Sequence, residues 1–374
     1  MTNIRKLGEL IEWVDTRNKG VISTNLLGIN IEKFFMPSVA NIIGTDLSSY
    51  KLISKNQFAC NPMHVGRDEK MPIALYLNEE PSIVSPAYFV FQPKDLTVVN
   101  PEYLMLWFRR TEFDRECWFH TDGSVRGGIT WDEILDMSVP VPSIEEQNKI
   151  VSSYNDIEKR IKLKKQINDN LVATADTIFY KMFLETKTEN SVAFTDIVQL
   201  MGGGTPKTDE SNFWGGNIPF FTPKDVSDSA FCIKTEKSLT SEGLDNCSSK
   251  LYPPFTTFVT CRGTVGNLAM AGEPMAMNQS CYALKGKNNF PSLFVYALTR
   301  CVIATMKKKA VGAVFNALVT RDFEMEKVFE PSLKDALFYQ EKVEPVFAQI
   351  LSNTYEIDHL CKLKNTILTQ LSSR

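Results

Sequence analysis

VPVPSIEEQNKIV, Val139 to Val151, changes character at Ser143. Before it, alternating valines and prolines read as a short strand that the prolines keep from extending. After it, Ser143 and Glu146 have the spacing of a capping box, which starts a helix. From there Ile150, Ile157, Lys164, Leu171 and Ile178 recur every seven residues, and Tyr154, Ile161, Asn168, Ala175 and Met182 fill the intervening row. Lys164 and Asn168 are polar breaks in an otherwise apolar seam. Heptads over this length predict a helix of about forty residues, roughly 60 Å long.

The same lead-in returns 189 positions later, where Val328–Ser332 (VFEPS) matches Val139–Ser143 (VPVPS). A second heptad helix follows, with Val343, Ile350, Ile357, Lys364 and Leu371 in one row and Phe347, Thr354, Cys361 and Leu368 in the other. Upstream of each lead-in stands a glycine-containing octapeptide, GSVRGGIT (Gly123–Thr130) and GAVFNALV (Gly312–Val319), again 189 apart. Weaker matches extend the repeat. Gly8-Glu9-Leu10-Ile11 pairs with Thr195-Asp196-Ile197-Val198 as a short amphipathic opening. Gln57–Cys60 pairs with Thr257–Thr260, and Ser85–Tyr88 with Gln279–Tyr282, as strands. The chain therefore reads as globular unit, long helix, globular unit, long helix, with segments 1–143, 144–186, 187–332 and 333–374. Two heptad helices in one chain can pair with each other, and if they run antiparallel the two units are related by a pseudo-two-fold axis; the alternative is that each helix packs on its own unit.

Composition sets the class. The 374 residues are 43% hydrophobic and 23% charged, enough for two or three soluble domains. No apolar run approaches a membrane span, and MTNIRKLGELIEW at the start lacks the apolar core of a signal peptide, so a cytoplasmic protein is expected. The eight cysteines form no CxxC pair and the three histidines are isolated, which predicts reduced thiols, no zinc site and no disulfide framework. A net charge of −3 argues against indiscriminate coating of nucleic acid but leaves room for local basic patches.

Gly202–Val226 reads GGGTPKTDESNFWGGNIPFFTPKDV. Its glycines permit tight corners and close backbone approach. Pro206, Pro219 and Pro223 fix φ and stop strands, and Thr222–Asp225 has the form of a cap and first helical turn. Two rigid corners result, from which Lys207 and Lys224 are placed to reach phosphates; the plainer reading is a structural turn with solvated lysines.

Together, the two Thr-Pro-Lys corners, the Trp-Gly-Gly-Asn-Ile-Pro stretch, the Pro-x-Pro-x-x-x-Glu-Gln lead-in and the repeated order resemble the specificity subunit of a type I restriction–modification system, over essentially the whole chain. The resemblance implies an α+β fold with two similar target recognition domains on a long antiparallel two-helix coiled coil. It implies a non-catalytic subunit that reads double-stranded DNA, one half of a bipartite target per domain. The helices would set the spacer and dock two copies of a methyltransferase subunit, with room for a restriction–translocase subunit. S-adenosylmethionine, ATP and Mg are expected on those partners, and no cofactor or metal on this chain. The seam residues Ile150, Ile157, Ile161, Leu171, Ile178, Val343, Ile350, Ile357, Leu368 and Leu371 are the expected coiled-coil and partner interface.

Base edges are read by polar side chains in the major groove. Arg262, in the turn Thr260–Asn267, and its first-unit counterparts Asn61 and Arg67 are candidate readers. So are Asn278 and Gln279 after an apolar strand, and Ser124, Arg126 and Asn316 in the glycine-containing turns. Each has a plainer reading: a surface ion pair for the arginines and backbone capping for the amides. Lys307–Lys309 has the look of a phosphate clamp, though lysine runs are usually solvated. Enzyme signals are poor. Asn61-Pro62-Met63-His64 lacks the second proline of the Asn-Pro-Pro-aromatic motif of amino-group methyltransferases that it faintly resembles, Glu185-Thr186-Lys187 lacks an acidic partner, and there is no GxxxxGK[ST] loop. Two rivals stay open: the same reader in a methylation-only assembly, and a coiled-coil scaffold with two domains for non-DNA ligands.

Overall fold

Gln147, beside the helix start that the sequence marks, is fully buried. Its Nε2 donates to Val98 O and Pro142 O at 2.9 Å each, and its Oε1 accepts from Asn100 N at 2.8 Å. Ser143 Oγ accepts from Glu146 N at 3.3 Å. The Glu-Gln lead-in thus both caps the long helix and ties it to the unit before it. The computed structural model describes residues 3–39, 44–121, 127–185, 190–309 and 317–371. Its contacts form two units, Met1–Arg160 with Leu360–Arg374, and Ile161–His359.

In unit 1, β1 (Asn3–Lys6) pairs antiparallel with β10 (Ser138–Val141), which places the chain's start beside the helix lead-in. The one-turn helix α1 (Leu7–Leu10) runs straight into β2 (Ile11–Trp13), because Leu7, Leu10 and Ile11 are all buried. Further strands are β3 (Leu26–Ile29), β4 (Phe35–Pro37), β5 (Lys51–Ile53), β6 (Phe58–Cys60), β7 (Ile73–Leu75), β8 (Ser82–Val84) and β9 (Phe89–Pro93). They make two four-stranded sheets, β2-β9-β6-β7 and β4-β3-β8-β5, in which only β3–β8 is parallel. The helices α2 (Val65–Asp68), α3 (Pro101–Phe108), α4 (Thr111–Phe119) and α5 (Trp131–Asp136) pack in one core with the β2-β9-β6-β7 sheet. Phe58 centres the core, 5.1 Å from the Phe91 ring and 5.5 Å from Phe108. Helices α3 and α4 are separated at Arg110, whose backbone is extended. Ser85–Tyr88, expected as a strand, is instead a turn between β8 and β9 closed by Tyr88 N to Ser85 O, and in its partner segment Gln279–Tyr282 the strand begins only at Cys281.

The long helix α6 (Ile144–Phe179) leaves unit 1 and continues through a π-type turn, Tyr180–Leu184. Unit 2 then repeats unit 1. β11 (Ser191–Ala193) pairs with β20 (Lys327–Phe329), and α7 (Phe194–Ile197) runs into β12 (Val198–Gly202). The strands that follow are β13 (Trp214–Phe221), β14 (Phe231–Cys232), β15 (Lys237–Leu239), β16 (Thr257–Thr260), β17 (Leu268–Ala271), β18 (Ala276–Met277) and β19 (Cys281–Gly286). The sheets are β12-β19-β16-β17-β14 and β15-β13-β18; β13–β18 is parallel, as β3–β8 is in unit 1, and so is β14–β17. The helices are α8 (Ser241–Asp245), α9 (Ser292–Lys309), α10 (Thr320–Met325) and finally α11 (Leu333–Gln370). Gln340 repeats the role of Gln147: its Oε1 accepts from Leu293 N at 3.0 Å, at the start of α9. The repeat faint in the residues is a repeat of topology.

Both long helices serve both units. In unit 1, Val151 and Tyr154 of α6 and Leu371 of α11 join the core, with Ile150 and Leu368 packed against it, and Lys364 Nζ lies 2.6 Å from Glu158 Oε1. In unit 2, Ala175 and Phe179 meet Tyr339, Val343, Phe347 and Ile350 in the core, with Leu171 and Ile178 packed on it. Lys164 Nζ is 2.9 Å from Glu356 Oε2. Within each unit, positions rise along α6 as they fall along α11, so the pairing is antiparallel. Ile161 is buried and Ile157 and Ile357 are half-buried. In each unit, apolar seam residues of both helices are therefore part of the globular core.

Candidate DNA interface

Three segments far apart in sequence meet in unit 2. The first corner leaves β12 and lies against Met277–Gln279. A Cβ at Gly203 would sit 2.2 Å from Asn278 O, so the close approach requires glycine. Gly204 N donates to Met277 O at 3.2 Å, and Thr205 Oγ1 donates to Gln279 Oε1. The second corner follows β13. Asp225 Oδ2 accepts from Thr222 N and Thr222 Oγ1, both at 2.7 Å, which caps the 3-10 turn Pro223–Asp225. Asn278 N donates to Phe221 O at 3.0 Å, which joins the two corners. The turn Arg262–Gly266 completes the group: Thr264 Oγ1 donates to Pro223 O at 3.5 Å, and Leu318 N to Cys261 O at 2.9 Å.

The result is one contiguous loop surface presenting Lys207, Lys224 and Arg262. All three are exposed and make no ion pair with a described residue. The amides are engaged differently. Asn278 Oδ1 accepts from Ser280 N at 3.0 Å, and Gln279 holds the first corner through Thr205. Lys309 is bound to both carboxylate oxygens of Glu326 at 2.8 Å. Burial pushes the Cys261 thiol up to about 12, so it is no nucleophile at neutral pH. Among the described residues, no three His, Cys, Asp or Glu side chains are grouped to hold a metal ion.

Unit 1 has the same junction. Gly66 N donates to Gly127 O at 3.0 Å and Ile129 N to Pro62 O at 3.4 Å, the counterpart of the Leu318–Cys261 bond. Asn61 Oδ1 accepts from Met63 N at 3.2 Å and caps the turn Pro62–His64. Arg67 is exposed, with Nε 2.7 Å and Nη2 2.9 Å from the two oxygens of Asp68, whose hydrogen bonds hold the guanidinium further toward its charged form. Ser124, Arg126 and Asn316 lie outside the described residues. Sequence reasoning passed over the segment after β2, Val14–Asn25, because it has no Gly-Thr-Pro; its place directly after the α1–β2 opening was the available signal.

Residues 3–173 and 187–369 match the family described as type I restriction modification DNA specificity domain. The type I restriction enzyme HindI specificity subunit of Haemophilus influenzae is 22% identical, over 94% of this chain and 93% of the relative. The MjaIX specificity subunit of Methanocaldococcus jannaschii is 28% identical over 47% of this chain and 40% of the relative. The type I restriction–modification S subunit from M. genitalium shares the fold, with a TM-score of 0.60 at 14% identity over 99% of this chain and 96% of that one. With nearly its whole length matched in two successive segments, the chain belongs to the type I restriction–modification DNA specificity family.

Proposed function

We propose that this chain is the sequence-reading subunit of a type I restriction–modification complex, in which each unit reads one half of an asymmetric, bipartite duplex target. The observation that carries the reading is the repeat of one topology with unlike loops: the scaffold is shared, while the segments after β2 and β12 share almost no residues. One scaffold with two different reading surfaces fits two unlike half-sites, where a symmetric dimer would demand a palindrome. The paired helices act as the ruler for an unread spacer, with half-sites about one helical turn, ~10 base pairs, apart. Two methyltransferase subunits dock on the chain, carry S-adenosylmethionine and flip the target adenine. A restriction–translocase subunit joins in assemblies that cleave. Phosphate contacts from Lys207 and Lys224 position the duplex, and Arg262 reads a base edge.

The test is a methylome. The chain is expressed with its methyltransferase subunit in a methylation-free host, and modified adenines are mapped by single-molecule sequencing. Two unlike half-motifs with a fixed gap, lost when the chain is omitted, are expected. No new methylation from an intact complex would overturn the reading in favour of a scaffold without a role at DNA. Inserting one heptad into both α6 and α11 should change the gap and leave both half-motifs as they were.

A further inference from the structure

The shared topology allows loops to be matched by the strands they join. In unit 2 the corner Gly203–Lys207 leaves β12 and lies against the segment leading into β19. In unit 1 the segment leaving β2 is Val14–Asn25, VDTRNKGVISTN. It holds the same place. Val14 N donates to Val90 O at 2.8 Å. Lys51 Nζ lies 3.7 Å from Asp15 Oδ1 and donates at 2.8 Å to Tyr88 O, in the segment leading into β9.

The loop is held rigidly. Asn18 is fully buried. Its Nδ2 donates to Ser23 O at 2.8 Å and to Leu47 O at 3.1 Å, and its Oδ1 accepts from Ser23 N at 3.1 Å. These bonds close a ring around Lys19–Ile22. Inside the ring, Gly20 has φ +78° and Val21 has φ +54°. A β-branched residue in the left-handed region is a true backbone outlier, of the kind that surrounding structure must enforce and that gathers at functional sites. The enforced conformation turns side chains outward: Lys19 is exposed, as are Val21 at 47% and Ile22 at 65%. One cation beside two aliphatic side chains on a rigid loop suits a duplex. Lysine meets phosphate, and aliphatic groups meet thymine methyls in the major groove.

We propose that Lys19–Ile22 is the DNA-contacting loop of unit 1, the topological equivalent of the Gly-Thr-Pro-Lys corner in unit 2, with Lys19 on a phosphate and Val21 and Ile22 against base edges. This rests on the DNA-reading function proposed above. The test uses the full-length chain in its methyltransferase complex and a randomised duplex library, with wild type, Lys19→Ala, Ile22→Ser and Val21→Gly compared. Ile22→Ser is expected to relax one or two positions of one half-site and leave the other half-site intact. Lys19→Ala is expected to weaken all sequences alike and to make the slope of log affinity against log salt shallower by ~0.9. Val21→Gly relieves the backbone strain, so it should raise the melting temperature while relaxing the same half-site. A wild type that selects a motif, with all three variants keeping that motif and salt slope, overturns the loop assignment alone. A wild type that selects no motif overturns the DNA-reading function and the loop with it.

Discussion

Asn353 Nδ2 donates to Asn168 Oδ1 at 2.8 Å inside the helix pair of unit 2. Asn353 Oδ1 accepts from Lys164 Nζ and Gln349 Nε2, each at 2.9 Å, so the layer is well satisfied although Asn353 is only 1% exposed. The apolar heptads are indifferent to a slip of seven residues. Such a slip would set Asn168 opposite Val346 or Leu360 and leave buried amides unpaired. Asn353→Leu should therefore cost ~1–3 kcal/mol, and combining it with Asn168→Leu should recover most of that. Urea unfolding of the two single variants and the double decides it: strictly additive losses would mean the two amides do not couple.

Lys33 is a second buried polar device. It stands at φ +66° in the turn between β3 and β4, with Nζ 2.7 Å from Asp114 Oδ1 and 5.1 Å from the Phe113 ring centre. Its counterpart after β13 is the corner with Lys224, so one topological position holds a buried anchor in unit 1 and an exposed cation in unit 2. Asp114→Ala would strand a buried ammonium and should cost ~3–5 kcal/mol. Burial pulls the Lys33 ammonium below its ordinary value, and Asp114 opposes that pull. Between the lowered value and the ordinary one near 10.4 the unfolded chain binds more protons, so stability rises with pH through that window. Without Asp114 the window widens downward. Unfolding measured from pH 7 to about 10.5 should show the variant's deficit shrinking as pH rises; a constant deficit would place the loss outside the Lys33 charge.

The long helices, their caps and their polar breaks were legible because heptads and capping boxes are local patterns. Asn353 was not: it lies one position outside the seam, beside Thr354, and only the antiparallel register brings it to Asn168. The corners of unit 2 were legible as glycine–proline chemistry, but their convergence with Arg262 depends on parallel β13–β18 pairing, which no local pattern encodes. Asn61 and Asn278 have the residue type of base readers, yet their side-chain oxygens cap backbone turns. An exposed turn needs the same hydrogen-bonding groups whether or not it meets DNA, which is why composition could not separate the two roles.

Gly203 and Gly202 are neighbours with opposite tolerances. A Cβ on Gly203 would meet backbone on one side only, Asn278 O at 2.2 Å and Met277 O at 2.6 Å, while one on Gly202 meets nothing within 4 Å. Gly203→Ala must push the first corner off Met277–Gln279, at a cost of ~1–3 kcal/mol, whereas Gly202→Ala should stay within ~0.5 kcal/mol. Thermal unfolding measures the stability difference. The methylation motif of the same variants tests the role of the corner, since Gly203→Ala should blur the unit 2 half-site and Gly202→Ala should not.

Arg262 and Lys224 sit on one loop surface, joined through Thr264 and Pro223, and are exposed alike. Their chemistry separates them. A guanidinium fork matches the O6 and N7 acceptors of guanine, and losing such a contact costs ~1–3 kcal/mol at one base position. A lysine ammonium is a point charge suited to phosphate, and losing it weakens every sequence and reduces the salt slope by ~0.9. Arg262→Ala should therefore relax one position of the unit 2 half-site at little change in slope. Lys224→Ala should leave the motif sharp, lower overall affinity and flatten the slope. Arg262→Lys separates the two arginine roles: retained affinity with a lost base preference marks a base contact, and retention of both marks a phosphate contact.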